Sequence, residues 1–317
     1  MAYEQIDMTR GALAAMAGDQ SFPADVPAVV RTPEERFEAL PGFPFEPHYR
    51  NLGELRLAHL DEGEGRPVVF LHGSPTWSFL WREVVPVVRD AGYRCVVPDQ
   101  VGYGRSDKPT DLRWYSYDRY VEAGNDLLST LDLRDVTLVA HDWGAPVGMR
   151  IAAEQPERIR RLVVMNGTLP LGNPPSDTWQ TLRAFIEETP DLPIGGMIQA
   201  GCAGELSPEV LAAYEAPFPG PEFKSGARSG PLLRPTSEGH PDAVKGRAVR
   251  DALRVDGRPK LLLWGESDPV MPLNVGVALA EALGCDPPVP ISGASHFLQE
   301  DRGEEVGARI VDWLSSL

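Results

Sequence analysis

The sequence predicts an α/β fold in which a mostly parallel central sheet has helices on both faces and a helical cap inserted between its two halves. Three observations predict it. Strand-like and helix-like hydrophobic patterns alternate from Leu52 onward. A segment rich in proline and glycine, about residues 168 to 245, then replaces this alternation with several short helical patterns. The alternation resumes after it and continues to the end of the chain.

The predicted elements follow one another in a regular order. Before the cap they are LRLAHLDEG and PVVFLHG as strands, WSFLWREVVPVVRDAG as a helix, RCVVPDQVG as a strand, a helix from about Ser116 to Leu131, strand VTLVA, a helix beginning near Gly144, and strand RLVVMNG. After the cap they are strand PKLLLWGESD, helix NVGVALAEALG, a short strand near PVPISGA, and helix EEVGARIVDWLSSL. Such an order places ligands outside the carboxyl ends of the strands.

The chain of 317 residues, 42% of them hydrophobic, suits one large domain with an insertion. Residues 1–30 are predicted as an N-terminal extension of uncertain order, because they show no clear period. Residues 31–167 and 246–317 are the two parts of the core, and residues 168–245 are the cap.

Composition narrows the function classes. A net charge of −16, without a basic cluster in the sequence, argues against a nucleic acid as a partner. No run of 18 or more apolar residues and no basic, then apolar, N-terminal segment is present in the sequence, so we expect a cytoplasmic protein that does not enter a membrane. The three cysteines, Cys95, Cys202 and Cys285, lack disulfide or zinc spacing and are predicted to be reduced thiols.

The string VTLVAHDWGAPVG carries the first chemical signal. A hydrophobic strand runs into Asp142, and a helix follows from about Gly144. This pattern is typical of the nucleophile elbow of the α/β-hydrolase fold, in which small flanking residues permit a sharp turn. Here Ala140 replaces the usual first glycine, and Asp142 stands where a serine is usual. The alternative is that Asp142 only caps the following helix.

An aspartate at this position changes the accessible chemistry. Its carboxylate is ionised at neutral pH, since its reference pKa is about 3.9, and it needs no activating base. Attack on an sp³ carbon by a serine gives an ether, which is hard to hydrolyse, whereas attack by a carboxylate gives an ester. Asp142 is therefore predicted to be a nucleophile that attacks electrophilic alkyl carbons.

Two loops are predicted to complete the site. The strand PVVFLHG ends at His72 and Gly73, and the following Ser74 is predicted to supply one backbone N–H of an oxyanion hole. The residue after the nucleophile, Trp143, is predicted to supply the other. An ordinary turn is the alternative for His72 and Gly73.

The C-terminal strings LLLWGESDPV and ISGASHFLQED provide an acid and a base in the expected chain order. Asp268 is predicted to orient the imidazole of His296, and His296 to take a proton from water. A purely structural role is the alternative for either residue alone. His141 is interpreted as a packing and hydrogen-bonding residue. The sequence contains no nucleotide-binding loop, so no nucleotide is implied.

Taken together, these strings resemble the haloalkane dehalogenases, and in particular their first subfamily, from about Arg31 to the C-terminus. RTPEERFEALPGFPFEPHYR, HGSPTWSFLWR, GYGRSDKP, the DWG elbow, YEAPFPGPEFKSGAR and ASHFLQED carry the resemblance. It implies displacement of a halide by Asp142, a halide held by the indole N–H of Trp143, and hydrolysis of the ester by water that His296 activates. It implies a small hydrophobic halogenated substrate and no metal or organic cofactor. We expect a monomer or homodimer.

This sequence departs from the family pattern at two places. A second halide-binding tryptophan is expected in the cap upstream of the YEAPFP string, where spacing places Cys202. Trp179 is the only cap tryptophan and is predicted as the second halide donor, with packing in the cap as the alternative. Losing one such donor costs on the order of 1.5–3 kcal/mol. Ser74 stands where the family generally has Glu or Asn.

Two other functions compete with this one. An epoxide hydrolase also uses an elbow aspartate, but it usually protonates the epoxide with two cap tyrosines, and residues 168–245 contain only Tyr214. A non-catalytic binding protein that retains the pocket is the alternative from another class. It is favoured by Cys202, which stands where a halide-binding tryptophan is expected.

Overall fold

The structure, a computed structural model, describes residues 26–317. Most of the predicted N-terminal extension, residues 1–25, lies outside this range. Its described end contains strand β1 (Val29–Val30), which pairs antiparallel with β6 (Lys108–Pro109) in a two-stranded sheet. The chain is therefore already attached to the core just before residue 31.

Eight further strands of the described residues form the main sheet. They are β2 (His48–Leu52), β3 (Leu55–Glu62), β4 (Arg66–Leu71), β5 (Tyr93–Pro98), β7 (Val136–His141), β8 (Ile159–Met165), β9 (Lys260–Gly265) and β10 (Val289–Ile291). Their order across the sheet is β10-β9-β8-β7-β4-β5-β3-β2. The strands from β10 to β5 are parallel, and β3 and β2 are antiparallel to their neighbours. The predicted mostly parallel sheet is confirmed.

The burial of a strand determines whether the hydrophobic pattern of the sequence predicts it. All six residues of the central strand β7 are buried, as expected for a strand covered by helices on both faces. Strand β2 is not predicted from the sequence, because its residues HYRNL lie at the sheet edge and none is fully buried. An edge strand needs no continuous apolar run.

Helices cover both faces of the sheet and form the cap. The α-helices of the described residues are α1 (Val85–Asp90), α2 (Tyr117–Thr130), α3 (Gly144–Glu154), α4 (Asp177–Glu188), α5 (Ile194–Ala200), α6 (Pro208–Glu215), α7 (Ser225–Leu232), α8 (Pro241–Val255), α9 (Leu273–Leu283) and α10 (Leu298–Ser315). None of these helices combines the length and apolar character needed to cross a membrane.

The helix predicted over WSFLWREVVPVVRDAG is shorter than expected. A 3₁₀ helix (Ser78–Trp81) precedes α1, and α1 itself begins only at Val85. Pro86 lies in the first turn of α1, where its missing N–H costs no helical hydrogen bond. The proline therefore favours a helix start in the middle of the predicted segment.

Helices α4 to α7 form a cap between β8 and β9. The predicted end of the cap, residue 245, lies inside α8. Helix α8 packs on α3 and α9, which belong to the core. The chain thus returns to the core near the start of α8, because the apolar face of that helix contacts core helices.

The cap is attached to the core by specific hydrogen bonds. The Ser74 hydroxyl donates to the carbonyl of Ala227 at 3.0 Å, and the Tyr103 hydroxyl donates to the carbonyl of Gly226 at 2.7 Å. Both carbonyls belong to α7. These bonds join the cap to loops that follow β4 and β5, next to the carboxyl ends of the parallel strands.

Candidate active site

Asp142 lies at a sharp turn between β7 and α3. Its φ is +50°, in the left-handed region, and its N–H donates to the carbonyl of Met165 at 3.1 Å. A Cβ at Gly144 would overlap the carbonyl of His72, and a Cβ at Gly167 would overlap the carbonyl of Asp142. Small neighbours are therefore required for this turn, which raises the Asp142 side chain above the carboxyl edge of the sheet.

The two carboxylate oxygens of Asp142 have different surroundings. Oδ1 accepts the backbone N–H of Ser74 at 2.8 Å, and the backbone N–H of Trp143 also bonds the carboxylate. Oδ2 lies 3.3 Å from Nε2 of His296. A Cβ at Gly73 would overlap Oδ1, so this glycine permits the loop after β4 to approach the carboxylate. Oδ1 thus accepts a backbone N–H from the loop after β4, and Oδ2 faces the imidazole.

The imidazole of His296 lies between two carboxylates. Its Nδ1 is 2.8 Å from Oδ2 of Asp268, which follows β9, and its Nε2 faces Asp142. Residue His296 precedes α10, and its side chain is almost completely buried. The structure therefore brings together the predicted nucleophile, acid and base from three separate loops.

The charges in this cluster shift each other's pKa values. Burial alone would lower the pKa of His296, but the negative charges of Asp268 and Asp142 outweigh it and raise that pKa to about 10. Burial alone would raise the pKa of Asp268, but the charge and hydrogen bond of His296 hold it at about 2. The same opposition, in which His296 outweighs burial, keeps the pKa of Asp142 below its usual value. The cluster therefore contains two carboxylates and one imidazolium near neutral pH.

A cavity of about 570 Å³ lies above Asp142 and beneath the cap. Asp142, Trp143 and His296 line one part of it, and most of the remaining wall is apolar, with Leu169 and Met197 among its residues. Its volume is typical of sites that hold small organic ligands.

The indole N–H of Trp143 is a free donor at this site. Its Nε1 is buried, and within residues 26–317 no acceptor is hydrogen-bonded to it. An unpaired buried donor costs free energy unless a ligand satisfies it. Since Trp143 lines the cavity, its indole is suited to an anion or to a leaving atom that becomes negative.

The structure places Trp179 and Cys202 differently. Trp179, on α4, lines the same cavity and is partly exposed. Cys202 follows α5 and packs partly buried against the core, and it is not among the residues that line the cavity. Burial raises the pKa of the Cys202 thiol, which favours the neutral form. Trp179 as the second halide donor stays a prediction.

Two further residues support the site: Asn166, which the sequence analysis does not single out, and His141, which it interprets as a packing and hydrogen-bonding residue. Asn166, at the end of β8, donates to Asp268 at 2.5 Å and accepts the N–H of Gly265 at 2.9 Å. His141 is fully buried, and its Nε2 lies 2.8 Å from the backbone carbonyl of His296. Burial lowers the pKa of His141 to about 4, so it is a neutral donor to that carbonyl. Position at a strand end is the one sequence signal that could have indicated Asn166.

Tyr214 cannot reach a substrate. Its side chain is fully buried in α6, its hydroxyl donates to Oε1 of Glu300, and it does not line the cavity. Arg82 forms a bidentate ion pair with the same carboxylate at 2.5 and 2.7 Å. Across the described residues, no tyrosine lines the cavity. The geometry that epoxide protonation by cap tyrosines requires is therefore missing from this part of the chain.

No metal site is formed by the residues that the structure describes, since no group of three His, Cys, Asp or Glu side chains is placed to hold an ion. The hydrogen-bond donors around Asp142 are backbone N–H groups and one imidazole.

Comparison with known proteins agrees with the predicted fold. A family model described as alpha/beta hydrolase fold matches residues 66–303. The chain is 42% identical over 300 residues to a haloalkane dehalogenase from Mycolicibacterium paratuberculosis (strain ATCC BAA-968 / K-10), covering 91% of this chain and 99% of that protein. It is 43% identical to haloalkane dehalogenase 1 from Mycobacterium tuberculosis (strain ATCC 25618 / H37Rv), covering 90% and 98%.

A solved haloalkane dehalogenase structure is also similar to this chain. The haloalkane dehalogenase DpaA from Paraglaciecola agarilytica NO2, described as tetrameric, has a TM-score of 0.85 and 34% sequence identity. The superposition covers 89% of this chain and 97% of that one. The similarity thus extends over almost all of the described residues, including the cap.

Proposed function

We propose, on the premise that this chain belongs to the haloalkane dehalogenase family, that it hydrolyses carbon–halogen bonds through an ester formed on Asp142. One observation carries the proposal: Oδ1 of the elbow carboxylate accepts the backbone N–H of Ser74, and Asp142 lines the same cavity as Trp143, whose buried indole N–H has no partner within residues 26–317. This arrangement supports in-line attack on a carbon whose halogen lies at Trp143.

In the first step, Oδ2 of Asp142 attacks the halogenated carbon. A carbon–oxygen bond forms, the carbon–halogen bond breaks, and the halide leaves with the bonding electron pair. Trp143 donates its indole N–H to the halide as negative charge develops on it, and Trp179 is proposed as a second donor. The apolar wall excludes water, which strengthens this electrostatic stabilisation.

Ester formation then changes the protonation of His296. The ester removes the negative charge of Asp142, which is one of the two charges that raise the pKa of His296. The pKa of the imidazole therefore falls, and the neutral form becomes accessible to act as a base. Asp268 continues to hold Nδ1 and stabilises the imidazolium once it forms.

In the second step, a water molecule attacks the ester carbonyl carbon of Asp142 while His296 takes its proton. The oxyanion develops on Oδ1, which accepts the N–H of Ser74, and the backbone N–H of Trp143, which also bonds this carboxylate, is proposed as the second donor of the oxyanion hole. Collapse of the intermediate breaks the bond between the carbonyl carbon and the alkoxide oxygen, and the alkoxide takes the proton held by His296 and leaves as the alcohol. The carboxyl group of Asp142 then loses its proton to water and the carboxylate is regenerated. The products are an alcohol, a halide ion and a proton.

Trapping the ester tests this mechanism. With 1-bromohexane, the His296→Ala variant should release one bromide per active site and stop, and its mass should rise by one hexyl group at Asp142. Asp142→Asn should release none. A single turnover of the wild type in H₂¹⁸O should place ¹⁸O in Asp142 and not in hexanol, because water attacks the carbonyl carbon. Label in the alcohol alone would contradict the ester.

The two competing functions give different results in the same assay. An epoxide hydrolase would convert 1,2-epoxyhexane to a diol and release no halide from bromohexane. A non-catalytic binding protein would show neither reaction and no ester. The buried position of Tyr214 disfavours the first, and the assembled Asp142, His296 and Asp268 disfavour the second.

The partners of this reaction are a small hydrophobic halogenated substrate, water and halide. The mainly apolar cavity supports this substrate class. A cytoplasmic location stays a prediction from the sequence. The expectation of a monomer or homodimer also stays a prediction, and it differs from the tetramer described for DpaA.

A further inference from the structure

Arg234 is a charged residue in an otherwise mainly apolar cavity wall. It follows α7 and lines the cavity that contains Asp142. It is the only arginine or lysine among the described residues that line this cavity. Its guanidinium lies 5.1 Å from the ring centre of Trp179. Within residues 26–317 it forms no ion pair and no hydrogen bond, which leaves its N–H donors available to a ligand.

Other buried arginines of this chain do have acidic partners. Arg82 is paired with Glu300, and Arg150 is paired with Glu154 at 2.7 Å and Asp118 at 2.5 Å. The chain has 46 acidic and 30 basic residues, so acidic side chains are abundant. The lack of an ion pair at Arg234 therefore does not result from a shortage of acids. Arg119 and Arg228 are also partly buried without an ion pair among residues 26–317, but of these three arginines only Arg234 lines the cavity.

Arg183 gives a direct contrast. It also lies over the ring of Trp179, at 5.4 Å, but it forms an ion pair with Glu187 at 2.8 Å and does not line the cavity. Two guanidinium groups thus contact the same indole, and one of them is neutralised by its own helix. The other retains an unbalanced positive charge inside the cavity. Burial lowers the pKa of Arg234, but arginine stays protonated at neutral pH.

We propose that Arg234 binds a carboxylate at the end of the substrate remote from the halogen, so that haloalkyl carboxylates are the preferred substrate class. This inference rests on the proposed function of Asp142. A guanidinium recognises a carboxylate through two parallel N–H donors, and the aromatic face of Trp179 orients it. Leu182 and Phe185, on the same helix as Trp179, line the cavity and provide an apolar surface for the connecting alkyl chain.

The charges at the two positions also select one orientation. Asp142 repels a carboxylate, and Arg234 attracts it. A haloalkyl carboxylate therefore binds with its halogenated carbon toward Asp142 and its carboxylate at Arg234. A neutral haloalkane gains neither the attraction nor the orientation.

Three substrates of matched length test the proposal: 6-bromohexanoate, its methyl ester and 1-bromohexane. Bromide release gives kcat/KM for each. Arg234→Leu should lower kcat/KM for 6-bromohexanoate by about tenfold or more, mainly through KM, and change the values for the two neutral substrates less than about twofold. Arg183→Leu is the matched control, since it removes a guanidinium from the same indole, and it should not change the preference for the carboxylate.

Binding of unreactive hexanoate, followed by tryptophan fluorescence, tests Arg234 separately from the chemistry. The wild type and Arg234→Lys should bind hexanoate, and Arg234→Leu should bind it at least tenfold more weakly. If bromide is released but Arg234→Leu affects all three substrates equally, the proposal for Arg234 is overturned and the proposed function stands. Product inhibition by added bromide gives a further test. If Arg234→Leu weakens this inhibition to the same extent with the charged and the neutral substrates, Arg234 binds the halide, and the proposal that it binds a carboxylate is overturned. If no substrate releases bromide, the proposed function fails, and hexanoate binding still decides the role of Arg234.

Discussion

The side-chain amide of Asn166 donates a 2.5 Å hydrogen bond to Oδ2 of Asp268, the same oxygen that lies 2.8 Å from Nδ1 of His296. The other oxygen of Asp268 accepts the backbone N–H groups of Val270 at 2.7 Å and Met271 at 3.0 Å. Four donors therefore fix this carboxylate. Asn166 acts through Asp268 on the orientation of the imidazole, and it is a positioning residue.

Removing the Asn166 amide should slow ester hydrolysis more than halide release. Asn166 has a φ of +38°, so Asn166→Gly keeps the backbone conformation while deleting the donor. Loss of a hydrogen bond to a charged group costs about 1.5–3 kcal/mol, and we expect hydrolysis to slow by about 10- to 100-fold. Rapid-quench kinetics should show an unchanged bromide burst followed by slower turnover.

The second substitution at this position separates strain from hydrogen bonding. Asn166→Ala deletes the same donor and adds backbone strain, because alanine disfavours positive φ. Its unfolding free energy should be lower than that of Asn166→Gly, with a similar rate of hydrolysis. Equal bursts and equal steady-state rates in the wild type and Asn166→Gly would show that Asn166 has no positioning role.

The two cavity tryptophans should differ in their effect on halide release. Trp143→Phe removes a buried donor that has no partner among the described residues, and the burst should slow by about 10- to 100-fold. Trp179→Phe keeps the ring that contacts Arg234 and removes its N–H. We expect a smaller decrease, because Trp179 is partly exposed and water competes for the halide. An unchanged burst rate in Trp179→Phe would remove Trp179 as a halide donor.

Much of the core and the nucleophile elbow is predictable from local sequence. Strand β7 is a mostly apolar, fully buried segment, and Asp142 follows it directly before a helix that begins with small residues, so one string predicts the strand, the turn and the proposed nucleophile. His296 and Asp268 are likewise at strand ends in the expected order. These predictions need only short-range pattern and the rule that parallel strands end at one edge of the sheet.

Other features depend on contacts between segments distant in sequence. Asn166 and Asp268 are 102 residues apart, and nothing in the string RLVVMNG distinguishes a structural asparagine at a strand end from a functional one. Arg234 belongs to no motif, and its importance appears only when the cap helices place it in the cavity. Cap packing also separates Cys202 from the cavity wall, although its neighbour Gly201 lines it. Sequence spacing alone cannot resolve such one-residue differences.

Gly73 should tolerate no side chain. A Cβ there would overlap Oδ1 of Asp142, so Gly73→Ala must displace the loop and with it the Ser74 N–H. Loss of an oxyanion-hole donor typically reduces kcat by about 10²–10³-fold, and we expect a decrease of that size in bromide release. Gly257→Ala is the control, because a Cβ there would meet no described atom within 4 Å. Full activity in Gly73→Ala would contradict the close approach of this loop.

The two chemical steps should respond differently to pH. In the proposed mechanism halide release requires ionised Asp142, and His296 holds the pKa of that carboxyl below its usual value, so acidification to about pH 5 leaves it charged. Ester hydrolysis requires neutral His296. Burial lowers the pKa of His296, and in the ester only the charge of Asp268 still raises it. Protonation of His296 at acid pH therefore removes the base.

The bromide burst should therefore keep its amplitude and rate from about pH 8 to about pH 5, while the steady-state rate falls toward acid. Stopped-flow detection of bromide over this range measures both phases in one experiment. Asp268→Asn removes the remaining negative charge next to His296, which lowers the pKa of the imidazole, so the acid limb of its steady-state profile should move to lower pH although its maximal rate is smaller. A burst that disappears together with the steady-state rate would mean that Asp142 itself titrates near pH 6, in conflict with the charge arrangement around it.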